Sequence, residues 1–165
     1  MYMGNVVMNV YEAVPVLTNM LNVSGFAKKF LKKSGNWLYS KYEKSEFYSV
    51  VPGFNANDIA LIESALKSAS EYCSERMLKL PSECNDPDIY AAYIVKVVKE
   101  LRSVISMVYI CDNYCSFKPR TMQAKIRGDV RGNGKPMRFS DGDVNEINAG
   151  IKSVTDMLSC IKLAL

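Results

Sequence analysis

The chain has 165 residues and not one is histidine. That absence removes Ser-His-Asp and Cys-His catalysis, histidine metal sites, and the one side chain that ordinarily titrates between pH 5 and 8. Catalysis would have to run on carboxylates, Lys, Tyr or Cys. Cysteine is present without pattern: Cys73, Cys84, Cys111, Cys115 and Cys160 are an odd set with no C-x-x-C spacing. Neither a disulfide framework nor a zinc ribbon follows from such a set, and a reducing, cytoplasmic compartment fits it. Long apolar runs are scarce as well. The nearest, Val6 to Ala27, is interrupted by Glu12, Pro15, Thr18 and Asn19, so no membrane span is expected. Met1 to Leu21 has no leading basic residues and no small-residue cleavage site, so it does not read as a signal peptide. No low-complexity tract or linker divides the chain, and one domain over 1–165 is expected.

What the chain does have is core material, with 48% hydrophobic residues including ten Tyr and six Phe. It also carries an internal match at an offset of 85. Residues 54 to 69 and 139 to 154 share Phe54/Phe139, Asp58/Asp143, Ile62/Ile147, Lys67/Lys152 and Ser68/Ser153. In each copy a Phe precedes a polar cap (Asn55, Ser140), and Asp and a β-branched residue follow at the third and fourth helical positions. This is a capping box with a hydrophobic staple, which marks a helix start. Two origins account for the match: a duplication of 1–80 as 81–165, or convergence of two helix starts on the same local physics.

Apolar spacing predicts four main helices, giving an all-α, single-domain bundle. The first runs from Val6 to Leu21 and is kinked or split at Pro15. The second runs from Asn55 to about Leu78. The third, from the Asp86-Pro87 start to about Cys111, is apolar on more than one face and is expected at the centre. The last runs from Asp141 to near the C-terminus. A short basic helix fits Phe26 to Lys33, and Trp37 to Val51 reads as irregular. Between the third and fourth helices, Ser116 to Arg138 is expected as a basic, glycine-containing loop. Its hairpin character would centre on Arg131-Gly132-Asn133-Gly134, with Met122 to Val130 facing Pro136 to Phe139.

Chemical motifs are weak. Cys111-x-x-x-Cys115 supplies two thiols one turn apart, too few for tetrahedral zinc, and apolar neighbours suit buried thiols. Asp58, Glu63, Asp143, Glu146 and Asp156 fit capping and solvated faces, since bundle di-metal sites also need Glu-x-x-His. Gly132-Asn133-Gly134-Lys135 is followed by Pro136 and does not open a helix, so it is not a phosphate loop. Arg127-Gly128-Asp129 carries negligible specificity. No cofactor is expected.

Charge distribution says more than the net +4. Residues 28 to 44 hold Lys28, Lys29, Lys32, Lys33, Lys41 and Lys44 against Glu43. Residues 118 to 138 hold Lys118, Arg120, Lys125, Arg127, Arg131, Lys135 and Arg138 against Asp129. The remainder is net acidic, so the molecule is electrically two-sided. The first segment interleaves its lysines with Phe30, Trp37, Tyr39 and Tyr42. These patterns nominate Lys28, Lys29, Lys32, Lys33, Trp37, Tyr39, Arg120, Lys125, Arg127, Arg131, Lys135 and Arg138 as a partner-binding surface, if the two segments share a face. The expected function is non-catalytic binding of an acidic protein, in the style of a viral or mobile-element accessory or inhibitor protein. RNA or DNA binding is the alternative, through phosphate neutralisation and base stacking. An enzyme without histidine is the third reading, and a homo-oligomer is compatible with the many Tyr and Met residues.

Overall fold

A computed structural model describes residues 4–42 and 53–165. Glu43 and Lys44 of the first basic segment, and the rest of the Trp37 to Val51 stretch beyond Tyr42, lie outside the described residues. The fold is mainly helical, with 66% helix, and the described residues form eight α-helices and one short parallel strand pair. The expected four helices are thus too few, because the third is split in two and the stretches between the main helices carry short helices of their own.

The first segment opens as β1, Val6–Asn9, and becomes α1, Val10–Met20, only where the Asn9 side chain accepts the Tyr11 N–H at 2.9 Å. α1 runs through Pro15 without a break. Pro15 is on the exposed side, where water can satisfy the carbonyl its missing N–H leaves free. α2, Val23–Phe26, continues into a π-turn, Ala27–Leu31, which ends at Lys32 in the left-handed region (φ 55°). α3, Trp37–Tyr42, orders part of the stretch expected to be irregular.

α4, Ala56–Ser74, and α8, Asp141–Cys160, both carry the expected capping boxes: Asn55 with Asp58, and Ser140 with Asp143. The preceding Phe54 and Phe139 are buried. The third segment is two helices, α5, Pro87–Arg102, and α6, Met107–Tyr114. The break serves a distant pairing. Leu21 and Ile105 form an antiparallel bridge, flanked by Asn22 N–H to Val104 O (2.9 Å) and Ser106 N–H to Met20 O (2.8 Å). A continuous helix would use those backbone groups itself.

The expected basic loop contains α7, Pro119–Arg127, with Pro at its first turn and Gly128 (φ 68°) closing it in the left-handed region. Only the part beyond it is a hairpin, bridged at Val130 and Pro136. After α8 the chain turns extended as β2, Ile161–Ala164, which pairs in parallel with β1, Val6 opposite Ile161.

α4 and α8 are antiparallel and form the centre of the core. Glu63 accepts the Leu163 N–H (2.7 Å), Ser70 Oγ donates to Thr155 O (2.8 Å), and Asn148 accepts the Leu78 N–H (2.8 Å). Ile62, Leu66, Ile147 and Ile151 between them are fully buried. Centrality thus belongs to this pair and not to the third segment, whose Ile89, Val95 and Val108 face solvent.

Candidate interaction surface

The basic residues divide into those the fold uses and those it leaves outward. Lys41, on α3, reaches the capping carboxylate of α4, with Nζ 3.0 Å from Asp58 Oδ2. Lys125, on α7, does the same for α8 by bonding Asp143. Both pairs are largely buried, so each lysine pins a short helix onto the start of a long one. At Asp143 burial works to raise the carboxyl, but hydrogen bonds from Lys125 and the Ser140 N–H outweigh it and hold the group below its ordinary value.

The aromatic residues of the first segment are engaged as well. Lys29 Nζ lies 3.6 Å and Arg76 Cζ 3.4 Å from the Tyr72 ring centre, distances that place the two cations on opposite faces. Trp37 is half-buried with Lys33 and Lys41 within 5.9 Å of its ring, and it meets Phe54 edge-on. Phe30 meets Tyr72 edge-on. Of the two nominated rings, Tyr39 alone is exposed, on α3.

Lys28, Lys32 and Lys33 project from the π-turn and its end, and among the described residues none has a carboxylate partner. π-turns within helices recur at functional sites. In the second segment Arg127 is committed to Asp129 through two bonds, 3.1 and 2.7 Å, which hold Asp129 below its ordinary pKa. Arg138 lies over Gly128, where an added Cβ would stand 2.6 Å from its guanidinium, and loosely faces Asp88 at 3.7 Å. Arg120 projects from the first turn of α7, exposed.

The hairpin is the best-defined part. Met137 N–H bonds Asp129 O (2.8 Å), Arg131 N–H bonds Lys135 O (2.9 Å), Gly134 N–H bonds Arg131 O (2.9 Å), and Lys135 N–H bonds Asn133 Oδ1 (3.0 Å). Arg131 and Lys135 therefore leave the tip side by side. Residues 130–136 are all exposed, Val130 at 69%, and among the described residues neither cation faces a carboxylate.

The two segments do not meet at their anchors. Asp58 and Asp143 lie on opposite sides of the Ser70/Thr155 crossing, and at 1.5 Å per helical residue they sit roughly 35 Å apart.

Three of the five thiols are held in the protonated form by burial. Burial pushes Cys73 up to about 12, Cys111 up to about 11 and Cys115 up to about 12, so these thiols stay protonated near neutrality. Among the described residues no three Cys, Asp or Glu side chains gather as metal ligands, and no helix is long and apolar enough to cross a membrane. No protein-family model, curated protein or solved structure matches the chain.

Proposed function

We propose that the protein is a non-catalytic binding module that docks an acidic protein segment through the 129–137 hairpin, with Arg120 at the other end of α7 as a further contact. The observation that carries this reading is the hairpin tip, where Arg131 and Lys135 stand next to exposed Val130 without an internal acid. Two adjacent cations beside an apolar residue suit a carboxylate-rich segment with a hydrophobic anchor, and they favour fast, salt-sensitive association. Lys28, Lys32 and Lys33 on the π-turn supply a second, separate basic area. Nucleic acid is the weaker reading because the rings that would stack bases, Trp37 and Phe30, already pack against the protein's own cations and aromatics.

The test uses Arg120→Ala/Arg131→Ala/Lys135→Ala, which spares Lys125 and Arg127. Binding to a fluorescent glutamate-rich peptide bearing one Leu, to poly(U) and to duplex DNA is measured at graded salt. The expected result is peptide binding that weakens with salt and is lost in the triple variant, with negligible nucleic-acid binding. Equal binding to poly(U) and DNA, with a salt slope that falls by about one per phosphate contact removed, would transfer the function to nucleic acid. Peptide binding that survives in the variant would remove the hairpin from the interface.

A further inference from the structure

The contacts between the two halves come in reciprocal pairs. Ser70 meets Thr155, 85 positions apart, and the bonds on either side exchange under the same offset: Leu78 N–H to Asn148 Oδ1, and Leu163 N–H to Glu63 Oε1. The bridge repeats the pattern at an offset of 84. Leu21 meets Ile105, while Asn22 N–H to Val104 O and Ser106 N–H to Met20 O are each other's counterparts. Such reciprocity is the mark of an isologous interface, in which residue i touches j and j's equivalent touches i's. At each place half a turn would exchange the two sets of bonded groups.

The match extends beyond these bonds. α4 and α8 begin 85 residues apart, and each N-terminus is held by a lysine from the preceding short helix, Lys41 or Lys125. The caps of α2 and α6, Asn22 and Ser106, each accept the N–H three residues on, at 3.1 and 3.2 Å. Convergent capping explains two similar helix starts; it does not explain reciprocal bonding at two separate places.

The outer edge departs from the pattern in bonding, not in place. β2 is paired with β1, whereas its equivalent, the stretch through Lys79, is held by the hydroxyls of Tyr90 and Tyr93 at the start of α5.

We infer that the described residues of 10–79 and 95–164 are two copies of one helical unit packed as the subunits of an isologous dimer, and that the face each copy turns inward fits a second copy of this chain. The occupant is specified by the bonds themselves. Exchange of halves between two chains preserves every cross-axis hydrogen bond, because one connection alone, residues 80–86 before α5, joins the halves. In the monomer that connection is tied back where Asp141 accepts the Ser82 N–H at 3.0 Å. A connection too short to fold back leaves the halves complementary only between chains.

The test introduces Leu21→Cys and Ile105→Cys. Leu21 and Ile105 form a non-hydrogen-bonded antiparallel pair, the close type with Cα atoms about 4.5 Å apart. The crosslink is followed on non-reducing denaturing gels, alongside the parent chain treated identically. In the folded monomer it should close within one chain. With Ser82–Asn85 deleted it should close between chains, and light scattering should give twice the monomer mass. The full-length variant refolded from denaturant should show an interchain fraction that rises with protein concentration, and this series decides the matter should the shortened chain fail to fold. Intrachain closure alone at every concentration would overturn the self-association. Failure to close in the folded monomer would overturn the axis.

Discussion

Asn148 holds the backbone of Leu78 at both ends of one residue: its Oδ1 accepts the Leu78 N–H and its Nδ2 donates to Leu78 O, each at 2.8 Å. Leu78 is buried, so neither backbone group has ready access to water. Asn148→Ala is expected to cost about 2–3 kcal/mol, because it leaves a donor and an acceptor unpaired. Asn148→Asp keeps the bond to the Leu78 N–H but sets a carboxylate oxygen against Leu78 O, and should be no better tolerated at pH 7. Denaturant midpoints with unchanged m-values would check both, and a loss under 0.5 kcal/mol for the alanine variant would count against the contact.

The lysine-completed cap of α8 gives a pH-dependent expectation. A carboxyl lowered in the folded state contributes stability that is fully present above its ordinary value, 3.8, and disappears as pH falls through the lowered one. Lys125→Met should cost about 2 kcal/mol at pH 7, less than the loss of one partner from a fully buried pair, because Ser140 N–H still bonds the carboxylate. The deficit should shrink as pH falls below 3.8 and through the lowered value, where Asp143 protonates in the parent chain too. A deficit constant from pH 7 to pH 2 would contradict the linkage.

Where α2 crosses the α5–α6 junction, a Cβ on Gly25 would stand 1.8 Å from Ser103 O. No rotamer change relieves a clash with backbone, so Gly25→Ala should cost at least about 2 kcal/mol. Gly132→Ala, with nothing within 4 Å, is the neutral control. Thermal unfolding of the pair would show whether the approach is as close as stated.

All five cysteines are free, and Cys73, Cys111 and Cys160 are buried. Ellman titration in denaturant should return five thiols. Under native conditions at pH 8, partly exposed Cys84 should react first and Cys73 and Cys111 only on unfolding. Three or one in denaturant would reveal native disulfides.

Which features could be read from the residues follows from the range of the interactions. The starts at Asn55 and Ser140 were legible because a capping box is decided within four residues. So was the start at Asp86-Pro87, where Asp86 accepts the Asp88 and Ile89 N–H groups. The break at 103–106 was not, since its cause is backbone pairing with residues 20–22. β1 escaped notice for the same reason, as its partner lies at 161–164. α7 is hard to read despite Pro119 and Gly128 at its ends, because its apolar face is only Met122 and, one turn on, Ile126, too short to stand out among the basic residues. Among nominated surface residues, Lys125 and Arg127 proved to be used internally. Their carboxylates, Asp143 and Asp129, were visible, but nothing local marked them as partners.

Pairing β1 with β2 sets an order of events during synthesis. Val6 leaves the ribosome long before Ile161 has been added, and at roughly 5–20 residues per second its partner arrives on the order of ten seconds later. Through that interval the nascent chain holds an unpaired strand ahead of an otherwise complete α1–α4, and its inner face is uncovered. A neighbouring nascent chain on the same message would present the matching face at that moment.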